Sequence, residues 1–532
     1  MAHVFGGAGF RVGGVGLIIG LLLGLGVPAE GWAKTHYHWV QLIEGKKQGE
    51  LFLPRVSVRA IVDQTESCPT LYATADTKKG KELFTLKERP KQGEVAKGNR
   101  FATIKVCEHV LQPDDKLLQG FTTGYLADDK QAVPVLLPDL SRGGVPLSQL
   151  ITSGCTGCRD GKAQYCSEQA AREAKKASSF PWLYKELNDQ AATDAGEGVP
   201  PLWVHLGDMR YSGQKENVAD SWEKAEGKLG WKEEVFEPAA RLMAKSLVVM
   251  LRGNHEGCFV KGNDWDKSGW KGRGEGWFYF FGAGDLACHA VASKLNDALP
   301  PFAVDGVLYG GTVSKPVVTQ KQVRLVMMDF VRTGDGRDKQ PDETKALFKK
   351  QFSGVAKEFA KPLPADKPLW IFVHEPVYEL DTRKSELDET TVTKALQGSD
   401  LRDHLSKVAA VVSAHKHQFN LIRAKAQPTQ ITVGNGGVAL SGRSGITCEV
   451  EGKGDLLGLQ SVQFGYLHAR FVPEGEQVQA RYEMPLFKPE WGGLKAERRV
   501  TCTGDGKHPW RLLCPKTANQ PTCKDVAAGD DD

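Results

Sequence analysis

The chain has 532 residues, with 69 Lys and Arg against 65 Asp and Glu, and its formal charge of +4 is close to neutral for that length. No block of basic residues marks a nucleic-acid or anionic-membrane surface, so partners must be read from a site and not from the overall field. A chain this long exceeds what a single core holds, and two or three domains are expected.

Residues 1–33 carry one Arg, at position 11, then the apolar stretch from Val12 to Val27, then Gly31-Trp32-Ala33 with small residues where a signal peptidase reads. This order predicts a secretory signal peptide cleaved after Ala33. An uncleaved anchor is the alternative, but glycines interrupt the run, which falls short of the roughly 20 residues of a spanning helix. Export to a periplasmic or extracellular space is expected. That space is oxidising, so the 11 cysteines point to disulfides. Local spacing suggests Cys68 with Cys107, Cys158 with Cys166, Cys258 with Cys288, and two bridges among Cys448, Cys502, Cys514 and Cys523, which leaves Cys155 over.

Residues 34–147 read as a small β-rich domain. Val56 to Val62 alternates in polarity and Phe101 to Val106 follows, a pattern of strands with one solvated face. Asp63 is read as a turn former and His36 and His38 as surface residues. A linker with Pro134, Pro138, Gly143, Gly144 and Pro146 closes the module. From about 148 to 440 strand-like runs alternate with the amphipathic patterns Cys166 to Ala177, Lys232 to Ser246 and Glu343 to Ala360, which predicts a layered α/β domain over 148–485. Ser461 to Val472 and Val478 to Met484 look like its closing hairpin. Residues 486–532 are polar and read as a disulfide-tied extension with an acidic tip.

Four apolar runs in this region end at once in Asp, Asn or His. Leu202 to Leu206 leads into Gly207-Asp208-Met209-Arg210-Tyr211, and Leu247 to Leu251 into Arg252-Gly253-Asn254-His255-Glu256. Leu369 to Val373 leads into His374-Glu375-Pro376, and Val408 to Val412 into Ser413-Ala414-His415-Lys416-His417. Ligands of open α/β sheets bind beyond the carboxyl ends of strands. Carboxylate, amide oxygen and imidazole together suit a hard or borderline metal ion. Singly, each residue has an ordinary reading: Asp208 as a turn former, Tyr211 as packing, each His as a core residue. In series at four strand ends those readings lose their force. His109, His205, His289, His404, His468 and His508 are read as structural, and Asp329, after the run Val323 to Met328, borders the same crevice.

Gly207-Asp208-x-x-Tyr211, Gly253-Asn254-His255-Glu256, Ile371-x-x-His374 and Ala414-His415-x-His417 resemble, in order and spacing, the motif series of calcineurin-like metallophosphoesterases, and Tyr211 is similar to the purple acid phosphatase branch. The resemblance spans residues 148–440. It implies a four-layer α/β sandwich of two mixed β-sheets flanked by helices, behind the small β-rich domain. It also implies two divalent or mixed-valence metal ions (Fe, Zn or Mn) bridged by Asp208. One would be completed by Tyr211, His417 and Cys155, the other by Asn254, His374 and His415. Two such ions clamp the attacking and leaving oxygens of an in-line displacement, and His255 would steady the phosphoryl group or protonate the leaving alcohol. The expected activity is hydrolysis of small phosphate mono- or diesters.

Two positions depart from the family pattern. Ala414 stands for a Gly, and Cys155, in Leu150-Ile151-Thr152-Ser153-Gly154-Cys155, stands where the family has a metal-binding Asp. Cys155 has three readings: a thiolate ligand that favours Zn²⁺ or Fe²⁺, a disulfide partner of Cys158, or a thiol at a site that has lost a metal. The last would make the chain a degenerate scaffold that binds phosphate ligands or a partner without turnover. Cys155-Thr156-Gly157-Cys158 also spells a thiol-oxidoreductase C-x-x-C, but without the aromatic neighbours of a thioredoxin-type site.

Overall fold

Runs of Val, Ile and Leu form fifteen strands that organise the chain: β1 (Tyr37–Gln48), β2 (Leu51–Asp63), β3 (Ile104–Leu111), β4 (Gln149–Ser153), β5 (Leu202–His205), β6 (Leu247–Met250), β7 (Phe302–Thr312), β8 (Lys315–Met328), β9 (Leu369–Val373), β10 (Val408–Ser413), β11 (Phe419–Arg423), β12 (Thr429–Val433), β13 (Leu467–Glu474), β14 (Gln477–Glu490) and β15 (Gly493–Gly504). The computed structural model describes residues 35–504 and 512–513, apart from 49–50, 75–79, 92–100, 128–131, 160–163, 167–179, 197, 212–220, 225–227, 259–272, 285, 289–298, 313–314, 332–341, 360–367, 382–385, 425–426, 442–446, 453–455, 475–476 and 491–492. The expected signal segment, nearly all of the helix expected from Cys166 to Ala177, and the acidic tip lie outside the described residues.

One sheet runs β3-β2-β1-β6-β5-β4-β13-β14-β15, with β1, β6, β5 and β4 parallel to one another and the outer strands antiparallel. The other runs β7-β8-β9-β10-β12-β11, parallel from β8 to β12. The strand period of two sorts the side chains into layers. Leu202 and Val204 of β5 meet Leu325, Trp370, Phe372 and Val412 of the second sheet in a shared core. Trp203, between them, faces the other way, onto Leu187 of helix α1 (Tyr184–Asp194), Leu242 of α2 (Glu237–Lys245) and Phe280 of α3 (Arg273–Phe280). On the second sheet Val326, Ile371 and Val411 turn outward to Phe348 and Phe352 of α4 (Asp342–Phe359) and Leu396 of α5 (Thr391–Gln397). Helix, sheet, sheet, helix is the expected four-layer α/β arrangement, with a β-rich amino-terminal region.

That region is stitched into the body. β1 runs parallel beside β6, pairing Val40 with Leu247. Ser57 and Arg59, on the face of β2 expected to be solvated, are fully buried. Arg59 donates to Glu108 at 2.7 Å and to the Gly282 carbonyl at 2.7 Å, and Arg89 donates to the carbonyls of Phe278 (3.3 Å), Tyr279 (3.1 Å) and Gly282 (3.1 Å) and to Glu108. The last carbonyls of a helix have no partner within it and sit at its negative end, so two guanidiniums cap α3 there. Glu108 accepts from both, which makes the buried charge tolerable.

Three disulfides follow the expected spacing: Cys68–Cys107, Cys158–Cys166 and Cys258–Cys288. Cys502 is disulfide-bonded as well, and Cys155 is the free cysteine among the described residues, which removes its reading as a partner of Cys158. Asp63 heads a turn as expected, accepting from the Glu66 N–H at 3.1 Å. His36 and His38 are half-buried at the start of β1, with His36 Nε2 2.8 Å from Asp63 Oδ1, because β1 is held inside a sheet, between β2 and β6, and not loose at the terminus. The stretch read as an extension from 486 begins as sheet, with β15 paired along β14. No helix among the described residues is long and apolar enough to cross a membrane.

Candidate metal centre

β4, β5, β6, β9 and β10 present their carboxyl ends to one edge, and Cys155, Asp208, Asn254, His374 and His415 each follow one of them directly or within a few residues. Among the described residues three that are not glycine have positive φ, and all lie here: Cys155 at 54°, Asp208 at 57° and His415 at 59°. Each such turn costs an L-residue roughly 1 kcal/mol or more and persists only where its surroundings over-determine it. Here they do. Cys155 N–H donates to the Gly207 carbonyl at 2.9 Å and Thr156 N–H to the Asp208 carbonyl at 2.9 Å. The Glu256 carboxylate accepts the N–H groups of Asp208 (2.7 Å), Met209 (2.8 Å) and Gly253 (2.8 Å). Residue 253 must be Gly, since a Cβ there would lie 2.1 Å from Asp208 Oδ1.

Two further residues hold these loops, and the sequence reading gave them no such role. Glu234, wholly buried in the turn Lys232–Phe236, accepts from Tyr211 N–H at 2.7 Å and Cys158 N–H at 2.9 Å. His205 accepts the Gly207 N–H on Nδ1 at 3.1 Å, which leaves Nε2–H to donate to Thr156 Oγ1 at 2.9 Å. Burial pushes its pKa down to about 3, so it stays neutral in that tautomer. Arg252, just before Gly253, pairs with buried Asp329 at the end of β8, tying the two sheets together beside the centre.

Asp208 is the hub. Its Oδ2 lies 2.8 Å from Tyr211 Oη, 3.2 Å from His374 Nε2, 3.9 Å from His255 Nε2 and 4.0 Å from Cys155 Sγ. Asn254 Oδ1 lies 3.0 Å from His374 Nε2 and 3.1 Å from His415 Nδ1, and these two nitrogens are 3.3 Å apart. His417 Nε2 lies 3.0 Å from Tyr211 Oη. All eight residues singled out in the sequence, Cys155, Asp208, Tyr211, Asn254, His255, His374, His415 and His417, are therefore brought to one place.

The donor chemistry fits a cation. The Leu206 carbonyl, 2.7 Å from His374 Nδ1, and the Ala439 carbonyl, 3.0 Å from His417 Nδ1, hold a proton on those nitrogens, so both Nε2 atoms face inward. There His374 Nε2 meets a carboxylate, an amide oxygen and a second imidazole, acceptors that a proton on Nε2, or a metal ion in its place, satisfies. The Asn254 amide nitrogen is buried without a hydrogen-bond partner, and one donor atom each from Cys155, Asp208 and His374 fall within 4.8 Å of one another. Burial pushes His417 down to about 4, and although burial also works against the Asp208 carboxylate, His374 and His255 hold its pKa well below the usual range. Burial works against a charge on His374, but Asp208 beside it raises its pKa, so an ion bound there would displace a proton from that pair.

Residues 177–419 match the family model of the calcineurin-like phosphoesterases. This part of the chain is similar to that family. The phosphoesterase region so defined holds every residue of the centre except Cys155, which lies ahead of it. No curated protein matches the chain. Metal-dependent phosphoester hydrolysis is the chemistry that this family match implies.

Proposed function

We propose that the chain is an exported hydrolase of small phosphate mono- or diesters that works through two metal ions sharing Asp208. The observation that carries the proposal is the meeting of Asp208 with Tyr211 and His374, while His374 Nε2 and His415 Nδ1 converge on Asn254 Oδ1 at 3.0 and 3.1 Å. Asn254, His374 and His415 would hold one ion, and Tyr211, His417 and Cys155 the other. Bound ions would supply positive charge and a template for in-line displacement at phosphorus. Tyr211 beside Asp208 favours a branch like the purple acid phosphatases, and the disulfides favour an oxidising compartment.

His255 would be a group that touches the substrate. Its N–H donates to Asp208 Oδ1 at 2.9 Å, and its ring lies 4.1 Å from that of Tyr211, so backbone and ring are both fixed. From there it would steady the phosphoryl oxygens or protonate the leaving oxygen. His255→Ala is expected to keep the metal and to lower turnover by roughly 10² to 10⁴. Loss of metal in that variant would make His255 a ligand instead.

Cys155 in the place of an Asp favours the second reading, a scaffold that binds phosphate ligands without turnover. Chelation and reloading of the purified chain with Zn²⁺, Mn²⁺ or Fe²⁺, assayed on an aryl phosphate and its diester, separates the two. Hydrolysis that is lost and restored is the expected result. Metal binding without hydrolysis of either ester would establish the scaffold.

A further inference from the structure

We infer that Cys155 makes the two metal positions chemically unequal, one of them thiophilic, an inference that rests on the metal-site reading above. The Cys155 position would gather Sγ, the Asp208 carboxylate, Tyr211 Oη and His417 Nε2. The other would gather only oxygen and nitrogen, from Asp208, Asn254, His374 and His415. A soft sulfur in one set selects borderline ions such as Zn²⁺, Fe²⁺ or Co²⁺, whereas an all-oxygen-and-nitrogen set also accepts Mn²⁺.

Cys155 is placed as a ligand would be. Its thiol is free and fully buried, although Cys158, three positions on, is already committed to Cys166. Both sides of its peptide are fixed: the N–H donates to Gly207 at 2.9 Å and the carbonyl accepts from Val438 at 3.0 Å. Its left-handed φ of 54° is strain that aims the side chain toward Asp208. The loop has no room to withdraw, since even a Cβ on Gly154 would come within 2.5 Å of Ala414 Cβ. The separation of Cys155 Sγ and Asp208 Oδ2, 4.0 Å, is too long for a firm S–H to oxygen hydrogen bond. Two donors on one tetrahedral ion, at thiolate and carboxylate bond lengths of about 2.3 and 2.1 Å, stand roughly 3.6 Å apart. The pair therefore needs only a small inward movement to share an ion.

The test is a Co²⁺ titration of the full chain, followed through the visible cobalt bands and the near-ultraviolet band of thiolate-to-cobalt charge transfer. The charge-transfer band is expected to saturate at one equivalent and to be absent in Cys155→Ser. Cys155→Asp should bind cobalt without it, and its preference for Zn²⁺ over Mn²⁺ at that position should fall by at least about tenfold. Visible cobalt bands without a thiolate band in the unmodified chain would overturn the inference and leave the metal centre standing. Failure of the chain to bind cobalt at all would overturn the metal-site reading and the inference with it.

Discussion

Asp208→Asn is expected to cost the protein both its metal and its turnover. One oxygen of Asp208 accepts the His255 N–H at 2.9 Å, and an Asn could keep that contact. Its amide nitrogen would then occupy the place of Oδ2, against Tyr211 Oη at 2.8 Å and His374 Nε2 at 3.2 Å, where a negative oxygen is needed. The variant thus removes the charge shared by both proposed ions and adds a group that repels them. Changing a residue that only orients a ligand weakens metal binding about 10- to 100-fold, and loss of the shared ligand should exceed that in both metal content and rate. The backbone bonds from positions 208 and 209 to Glu256 do not involve the side chain, so circular dichroism should be unchanged. Full metal occupancy with undiminished hydrolysis would contradict a carboxylate shared by two ions.

Glu108→Gln should have the largest effect on stability. Arg59 is fully buried and Glu108 nearly so, and removing the carboxylate leaves two guanidiniums without their counter-charge. Breaking a buried pair from one side costs about 3 to 5 kcal/mol, to be read from the urea midpoint and slope. Burial alone would raise the Glu108 pKa, but Arg59 and Arg89 hold it down, to about 2. A depressed carboxylate contributes stability above its unfolded pKa and loses it as pH falls through the folded one. The native chain should therefore lose stability between the ordinary Glu pKa of 4.5 and about 2, and the Gln variant should lack this component of the acid sensitivity. An unchanged midpoint at neutral pH would mean that the clasp on α3 contributes little.

The strand-end residues were legible because each couples an apolar run to a polar donor within a few positions, and sheet geometry then requires those donors to share an edge. The layered fold was legible for the same reason, from the alternation of runs and amphipathic helices. What depends on distant partners was not. Arg59 occupies a polar position of an alternating strand, and only the end of α3, more than two hundred residues on, turns that face inward. Glu234 reads as one acid among others on an amphipathic helix, and its burial is decided by the loops of Tyr211 and Cys158. Helix α1 gives a weak signal because its buried face includes Asn188 and the small residues Ala191 and Ala192. Positive φ at Cys155, Asp208 and His415 leaves no trace either, as none of these three positions is itself a glycine.

Metal content per chain, measured by elemental analysis of purified protein loaded with Zn²⁺ and desalted, tests the two-metal phosphoesterase most directly when paired with hydrolysis of an aryl phosphate and its diester. Two ions per chain, with hydrolysis that rises as the second is filled, is the predicted result. A folded chain that retains no ion and hydrolyses neither ester would contradict it.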